Sequence, residues 1–235
     1  MQPTPSPKAP WEAGLRGARA NLLPGIVLQL LAVALVVGYY HLPQVHASLE
    51  ELTTFRQHSG VTFGIISTAL FGGVIPFLYL WSYATARGEG PRYSWAQGLA
   101  ITSFWAYKGF EVDLWYRIQA RLVGSGHEVS TISIKVVLDQ FVYCPLVAVP
   151  VTAVVYQLVE SHGDFVGLAA DIRSGGWFRR KVLPILISNL GVWVPAVAVI
   201  YALPTPLQLP LQNIVLCFFT LIVANQTRAQ PLAYQ

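Results

Sequence analysis

The chain has 235 residues, 54% of them hydrophobic and only 11% charged, with a mean hydropathy of +0.51. Such a composition excludes a soluble catalytic domain and belongs to a chain made for lipid. Its net charge of +4 does not point to nucleic acid, because the 15 basic residues are scattered and flank apolar runs instead of forming one face.

Pro3, Pro5, Pro7 and Pro10 lie where there is almost nothing to bury, so residues 1–20 read as a flexible tail. The apolar run 22–40 follows and is taken as a first span, since at 1.5 Å per residue it nearly matches the hydrocarbon core. A cleaved signal peptide is the competing reading, because Val45-His46-Ala47 loosely resembles a cleavage site. Signal segments have shorter apolar regions, which favours a retained anchor. The second span is 60–86, where Gly72, Gly73 and Pro76 point to close helix contact or a kink. Spans near 94–114, 136–159, 182–203 and 207–224 complete the set, with Pro145 and Pro150 inside the fourth. Pro204-Thr205-Pro206 alone separates the last two, which form a helical hairpin, and 227–235 is a short tail.

The expectation is an all-α, polytopic transmembrane helical bundle over 21–226 with six spans, five being the alternative. The connections 41–59, 115–135 and 160–181 are too short for a separate domain, and no internal repeat is evident. With the amino terminus cytoplasmic, Lys8, Arg16, Arg19, Arg87, Arg92, Arg173, Arg179, Arg180, Lys181 and Arg228 fall inside. Arg56, Arg117, Arg121 and Lys135 fall outside. That bias predicts both termini on the cytoplasmic or matrix-like side.

Charged residues within lipid need a reason, because one at a helix centre costs about 2.5–3.5 kcal/mol. Lys108, Glu111 and Asp113 lie in the third span and Asp139, beside Gln140, in the fourth. Lys108 and Glu111, three apart, share a helical face and can pair; Lys135 and Asp139 can do so at a spacing of four. Glu111 and Asp113 are about 200° apart around the helix and face different neighbours. Two readings of this set carry equal weight: interhelical ion pairs that hold the bundle, or the polar lining of a solute path.

Other polar groups carry less. His41, His46 and His58 with Glu50 and Glu51 match no metal-ligand spacing, and Glu160, His162 and Asp164 read as a solvated turn. Cys144 and Cys217 lie in apolar segments, where cysteine behaves as a small hydrophobe, so neither a disulfide framework nor a metal is expected. Tyr39, Tyr40, Trp81, Tyr83, Trp115, Tyr116 and Trp177 sit near span ends and read as interface anchors. No nucleophile motif, phosphate loop or dinucleotide signature occurs, so enzyme activity has no positive support.

The third to fifth spans resemble a known family. Gly109, followed by Trp115-Tyr116, then Lys135, Asp139-Gln140 and Pro145, and further on Asn189, Trp193 and Pro195, are similar in order and spacing to the signature of the Mpv-seventeen and peroxisomal-membrane-protein family. Phe110 stands where that family usually has proline, and Asp113 where histidine is common, so the chain reads as a divergent member. The resemblance implies a small multi-helix protein of an inner mitochondrial, peroxisomal or bacterial membrane, channel-like and without a cofactor. From these readings the expected function is a channel or carrier for small polar solutes or ions, with the lipid bilayer, and a second copy of the chain, as partners. The alternative is a structural membrane scaffold or assembly factor.

Overall fold

The structure, a computed structural model, describes Leu15, Arg19 and residues 22–229 apart from 89, 92 and 127, with side chains left aside at 23, 24, 219 and 221–229. Most of the tail expected over 1–20, including Lys8 and Arg16, lies outside the described residues, as do Arg92, the Arg228 side chain and residues 230–235. Among the described residues every element is a helix. They are α1 (Leu22–His41), α2 (Pro43–Ser59), α3 (Val61–Ala86), α4 (Trp95–Val123), α5 (Val129–Glu160), α6 (Phe165–Arg173), α7 (Phe178–Tyr201) and α8 (Thr205–Ala229).

The six apolar stretches fall on α1, α3, α4, α5, α7 and α8. Three helices, α3, α5 and α7, are long and apolar enough to cross a membrane, and a fourth crossing is counted if the bent pair of α1 and α2 forms one span. The difference from six has physical causes. Lys108, Glu111, Asp113, Arg117 and Arg121 dilute the apolar content of α4, and the stretch Gly25–His41 of α1 is short on its own.

The connections are also more helical than hydropathy suggests. Residues 43–59 form α2, which turns 99° from α1. The break is local chemistry: Pro43 crowds the helical region of the residue before it, and Leu42 is accordingly extended at φ −114°, ψ 110°. Helix α4 starts at a capping box, in which Ser94 and Gln97 satisfy each other's backbone amides, and it continues to Gly124 at φ 101°. Lipid-facing composition ends near residue 114, whereas the hydrogen-bond ladder needs only water-tolerant residues to run two more turns.

Three stretches widen to π-helix: Ala69–Val74 in α3, Leu138–Ala148 in α5 and Phe178–Val182 opening α7. A proline follows each by two residues, namely Pro76, Pro150 and Pro184. In an α-turn each ring would strike the carbonyl four residues earlier, and the wider turn relieves that contact. Pro145 lies inside the longest of the three. Pro195 and Pro210 occupy α-helical stretches, so proline contributes to the widening without being sufficient for it.

Helices α3 and α4 make the closest contact in the bundle, through glycine. A methyl group on Gly109 would lie 2.1 Å from the Gly64 carbonyl oxygen, one on Gly73 would lie 2.7 Å from Thr102 Cα, and one on Gly72 would meet the Trp105 ring at 2.7 Å. Small residues let the two backbones approach, the usual basis of helix association in lipid. Helix α8 runs through the core, where Leu207, Leu209 and Leu211 pack with Ile200 and Tyr201 of α7 and Tyr116 of α4. Helix α1 packs on α7 and α8, with Gln29 donating to the Val192 carbonyl (3.0 Å) and Tyr40 to that of Ala202 (2.8 Å). The first helix is therefore part of the bundle and not a detached anchor.

A buried polar clamp joins α3 to α8: Thr68 donates to Asn213 Oδ1 and Asn213 Nδ2 donates to Ser67, both at 2.9 Å. Interhelical hydrogen bonds in membrane proteins average about 0.6 kcal/mol. Asn213→Leu, which loses both and orphans the Thr68 hydroxyl, is expected to lower unfolding stability in detergent by about 1–2 kcal/mol. Equal melting of Asn213→Leu and the parent protein would show that the clamp is dispensable.

Candidate functional site

Helices α4, α5, α7 and α8 do not close completely on one another. Between them lies a cavity of about 730 Å³. One end is marked by the exposed residues Glu160, Ser161 and Lys181, and the other by Tyr116, Asp139 and Gln140, all buried. Along the wall between them stand Lys108, Tyr143, Cys144, Thr152, Asn189, Trp193 and Gln212. The π-helical stretch of α5 supplies the deepest part: it presents Asp139, Gln140, Tyr143 and Cys144 inward within six residues.

The charged groups sort into three arrangements. Lys108 pairs with Glu111 at 2.5 Å, as their spacing of three predicts, and Tyr143 bonds both: its hydroxyl donates to Glu111 and lies 3.3 Å from Lys108 Nζ. Asp139 accepts from Trp115 Nε1 and from Gln140 Nε2, each at 2.8 Å, and the Trp115 ring stacks on Tyr143 with centroids 4.8 Å apart. Asp113, fully buried, is held between Arg56 of α2 and Arg117 of its own helix, and Arg56 also donates to the Thr205 carbonyl where α8 begins.

Several expectations are corrected by this placement. Lys135 and Asp139 form no ion pair: Asp139 is turned to Trp115 and Gln140, while the Lys135 ammonium lies over the Tyr201 ring, 5.7 Å from its centroid. Asp113 falls on the ion-pair side of the two readings: two guanidinium groups hold it, and it does not line the cavity. Glu111 reaches the cavity only through Lys108 and Tyr143. Tyr39, Tyr116 and Trp177 are buried and Trp115 is half-buried, with polar partners inside the protein: Tyr39 donates to Glu50 at 2.7 Å and Trp177 to Gln157 at 2.9 Å. Position near a span end therefore does not separate a headgroup ring from a packed one.

Among the family-motif residues, Gly109 makes the close approach of α3 to α4, Trp115 bonds Asp139, Asn189 and Trp193 face the cavity, and Pro195 sits inside α7. Pro145 lies in the π-helical stretch beside Cys144, which is buried and free like Cys217. In the turn after α5, Asp164 caps α6 by accepting from the Gly167 amide at 2.8 Å. Arg180, an exposed side chain bonded to Asp171 at 2.6 Å, holds that half-buried carboxyl below the ordinary carboxylate range. Solvent screens such a pair, so it adds little stability.

Arg56, Tyr143, Gln119, Tyr201 and Gln212 are absent from any reading of spacing. Arg117 has a sequence signal, since it stands four residues after Asp113 on one helix. Two cavity-lining amides are only partly satisfied: Gln140 Oε1 and Gln212 Oε1 have no hydrogen-bond partner among the described residues. Buried polar atoms of this kind ordinarily meet water or a solute. No family model matches the chain, and neither the curated proteins nor the solved structures hold a match.

Proposed function

We propose that the protein is a channel-like or carrier protein for small polar solutes or ions, with the cavity between α4, α5, α7 and α8 as part of the solute path. One observation carries this reading: a cavity with an exposed end runs deep among apolar helices and terminates at Asp139 and Gln140, with amide oxygens facing it unpartnered. A purely structural bundle has no use for such a space, since close packing is the rule where nothing passes. In this proposal α1, α3, α4, α5, α7 and α8 are the six crossings, both termini lie on the cytoplasmic or matrix-like side, and the chain is a divergent member of the Mpv-seventeen and peroxisomal-membrane-protein family. The hydrogen bond from Trp115 to Asp139, which joins two of the motif elements, supports that assignment.

A second reading, a scaffold without transport, is favoured by the locking of Asp113 by Arg56 and Arg117 and of Glu111 by Lys108. Reconstitution into liposomes separates the two. On the channel reading the protein conducts or releases small solutes, and Asp139→Asn changes ion selectivity while the yield of folded protein stays near that of the parent. A tight membrane from folded protein would establish the scaffold instead.

A further inference from the structure

The cavity stops one helical turn short of a second polar layer. Gln119 follows Tyr116 by three residues on α4, Lys135 precedes Asp139 by four on α5, and Tyr201 follows Val197 by four on α7. Because α5 runs antiparallel to the other two, all three steps lead the same way, out of the buried end. The three residues are among the most enclosed in the protein, each 2% exposed or less. Yet Gln119 and Tyr201 are not satisfied. Both amide atoms of Gln119 and the Tyr201 hydroxyl lack hydrogen-bond partners among the described residues. Lys135 takes part in none of the described ion pairs, and its ammonium lies over the Tyr201 ring face. The Tyr201 hydroxyl lies close to Gln119 and to the Asp139 carboxylate, in loose contacts that stop short of well-formed hydrogen bonds.

The donors outnumber the acceptors here. An ammonium, an amide NH2 and a phenolic hydroxyl adjoin one another through Tyr201, and the nearest carboxylate, Asp139, already accepts from Trp115 and Gln140. The other lysine of these helices, Lys108, has its own carboxylate in Glu111, whereas Lys135 has no anionic partner among the described residues. A buried ammonium is tolerated when an anion or fixed dipoles compensate it.

We propose that Gln119, Lys135 and Tyr201 form a binding site for a small monovalent anion, and that this layer gives the solute path a preference for anions. The second half rests on the path proposed above; the site itself does not. Small size follows from the enclosure of the three residues, and negative charge from their donor excess.

The test uses the full chain in two settings. In detergent, thermal unfolding is followed as sodium gluconate, a bulky anion, is replaced by sodium acetate or chloride at constant ionic strength. The melting temperature is expected to rise and saturate, with Lys135→Gln abolishing the rise. Tyr201→Phe and Gln119→Leu, which keep the charge and remove one polar group each, shift half-saturation to roughly tenfold higher anion. They also keep the test open if Lys135→Gln does not fold. In liposomes under a salt gradient, the reversal potential is expected to favour the anion, and Lys135→Gln to remove that preference. A melting temperature indifferent to the small anions, or equal responses in the parent and all three variants, overturns the site. Conductance that favours cations overturns the anion preference while sparing the path. An anion-dependent melting shift with a tight membrane retains the site and overturns the path.

Discussion

Gly109→Ala is expected to cost the bundle about 3 kcal/mol or more, the upper end of the range for overpacked cores. The added methyl would lie 2.1 Å from the Gly64 carbonyl oxygen, 2.7 Å from Gly64 C and 2.8 Å from Thr68 Cβ. Two of those atoms are backbone, so no rotamer change relieves the contact and α3 must move off α4. The reverse substitution tells the same story less severely, since a methyl on Gly64 would meet the Gly109 oxygen at 2.9 Å. Gly98→Ala is a useful comparison: its methyl would strike the Phe77 ring at 2.5 Å, but a side chain can swing away and the loss should be smaller. Gly90→Ala, with nothing within 4 Å, should melt as the parent does. The measurement is thermal unfolding of the four variants in one detergent. Gly109→Ala melting with Gly90→Ala would mean that α3 and α4 are not in contact at Gly64 and Gly109.

Much of this contact is visible in the sequence as a type of event but not as a pairing. Glycines and a proline in the middle of an apolar run signal close approach or a kink, and α3 has both, yet nothing in residues 60–86 says that Gly64 meets Gly109. Local spacing does better where both partners share a helix. Lys108 and Glu111 are three positions apart, and the pair forms. The same logic applied to Lys135 and Asp139 fails, because spacing measures which groups can meet and not which neighbours compete for them. Trp115 and Gln140 take the Asp139 carboxylate. The aromatic rings are ambiguous for a related reason, since an amphipathic ring suits both a headgroup region and a polar contact inside the bundle. Hydropathy finds the six helices that carry apolar surface, whereas α2 and α6 are polar enough to pass for loops. The cavity depends on how four helices splay, which is a property of their packing angles and is not written in any one of them.

Arg56→Met is expected to destabilise the protein by about 3–5 kcal/mol, because it leaves Asp113 ionised and buried with only half of its partners. Asp113→Asn should cost a similar amount from the other side, since it strands the Arg56 guanidinium, 4% exposed, on the Thr205 carbonyl alone. Arg117→Gln should matter less, because that side chain is 47% exposed and water can replace part of its contact with the buried Asp113. The double variant Arg56→Met with Asp113→Leu separates a lost attraction from a stranded charge. Replacing both partners of a buried pair by apolar groups of similar volume is often neutral or stabilising, so the double variant should recover most of what either single change loses. Chemical unfolding in detergent, arranged as a double-mutant cycle, measures that recovery as a coupling energy. Strict additivity of the two single effects would show that Arg56 and Asp113 do not depend on each other. The pair also ties α2, turned 99° from α1, to α4 and to the start of α8, beside the packing of Leu49 and Leu52 on the core. Its loss should therefore free α2 first. Hydrogen exchange along 43–59 is expected to quicken in Arg56→Met before α3 or α4 loses protection, since an element held by few contacts opens below the global unfolding free energy.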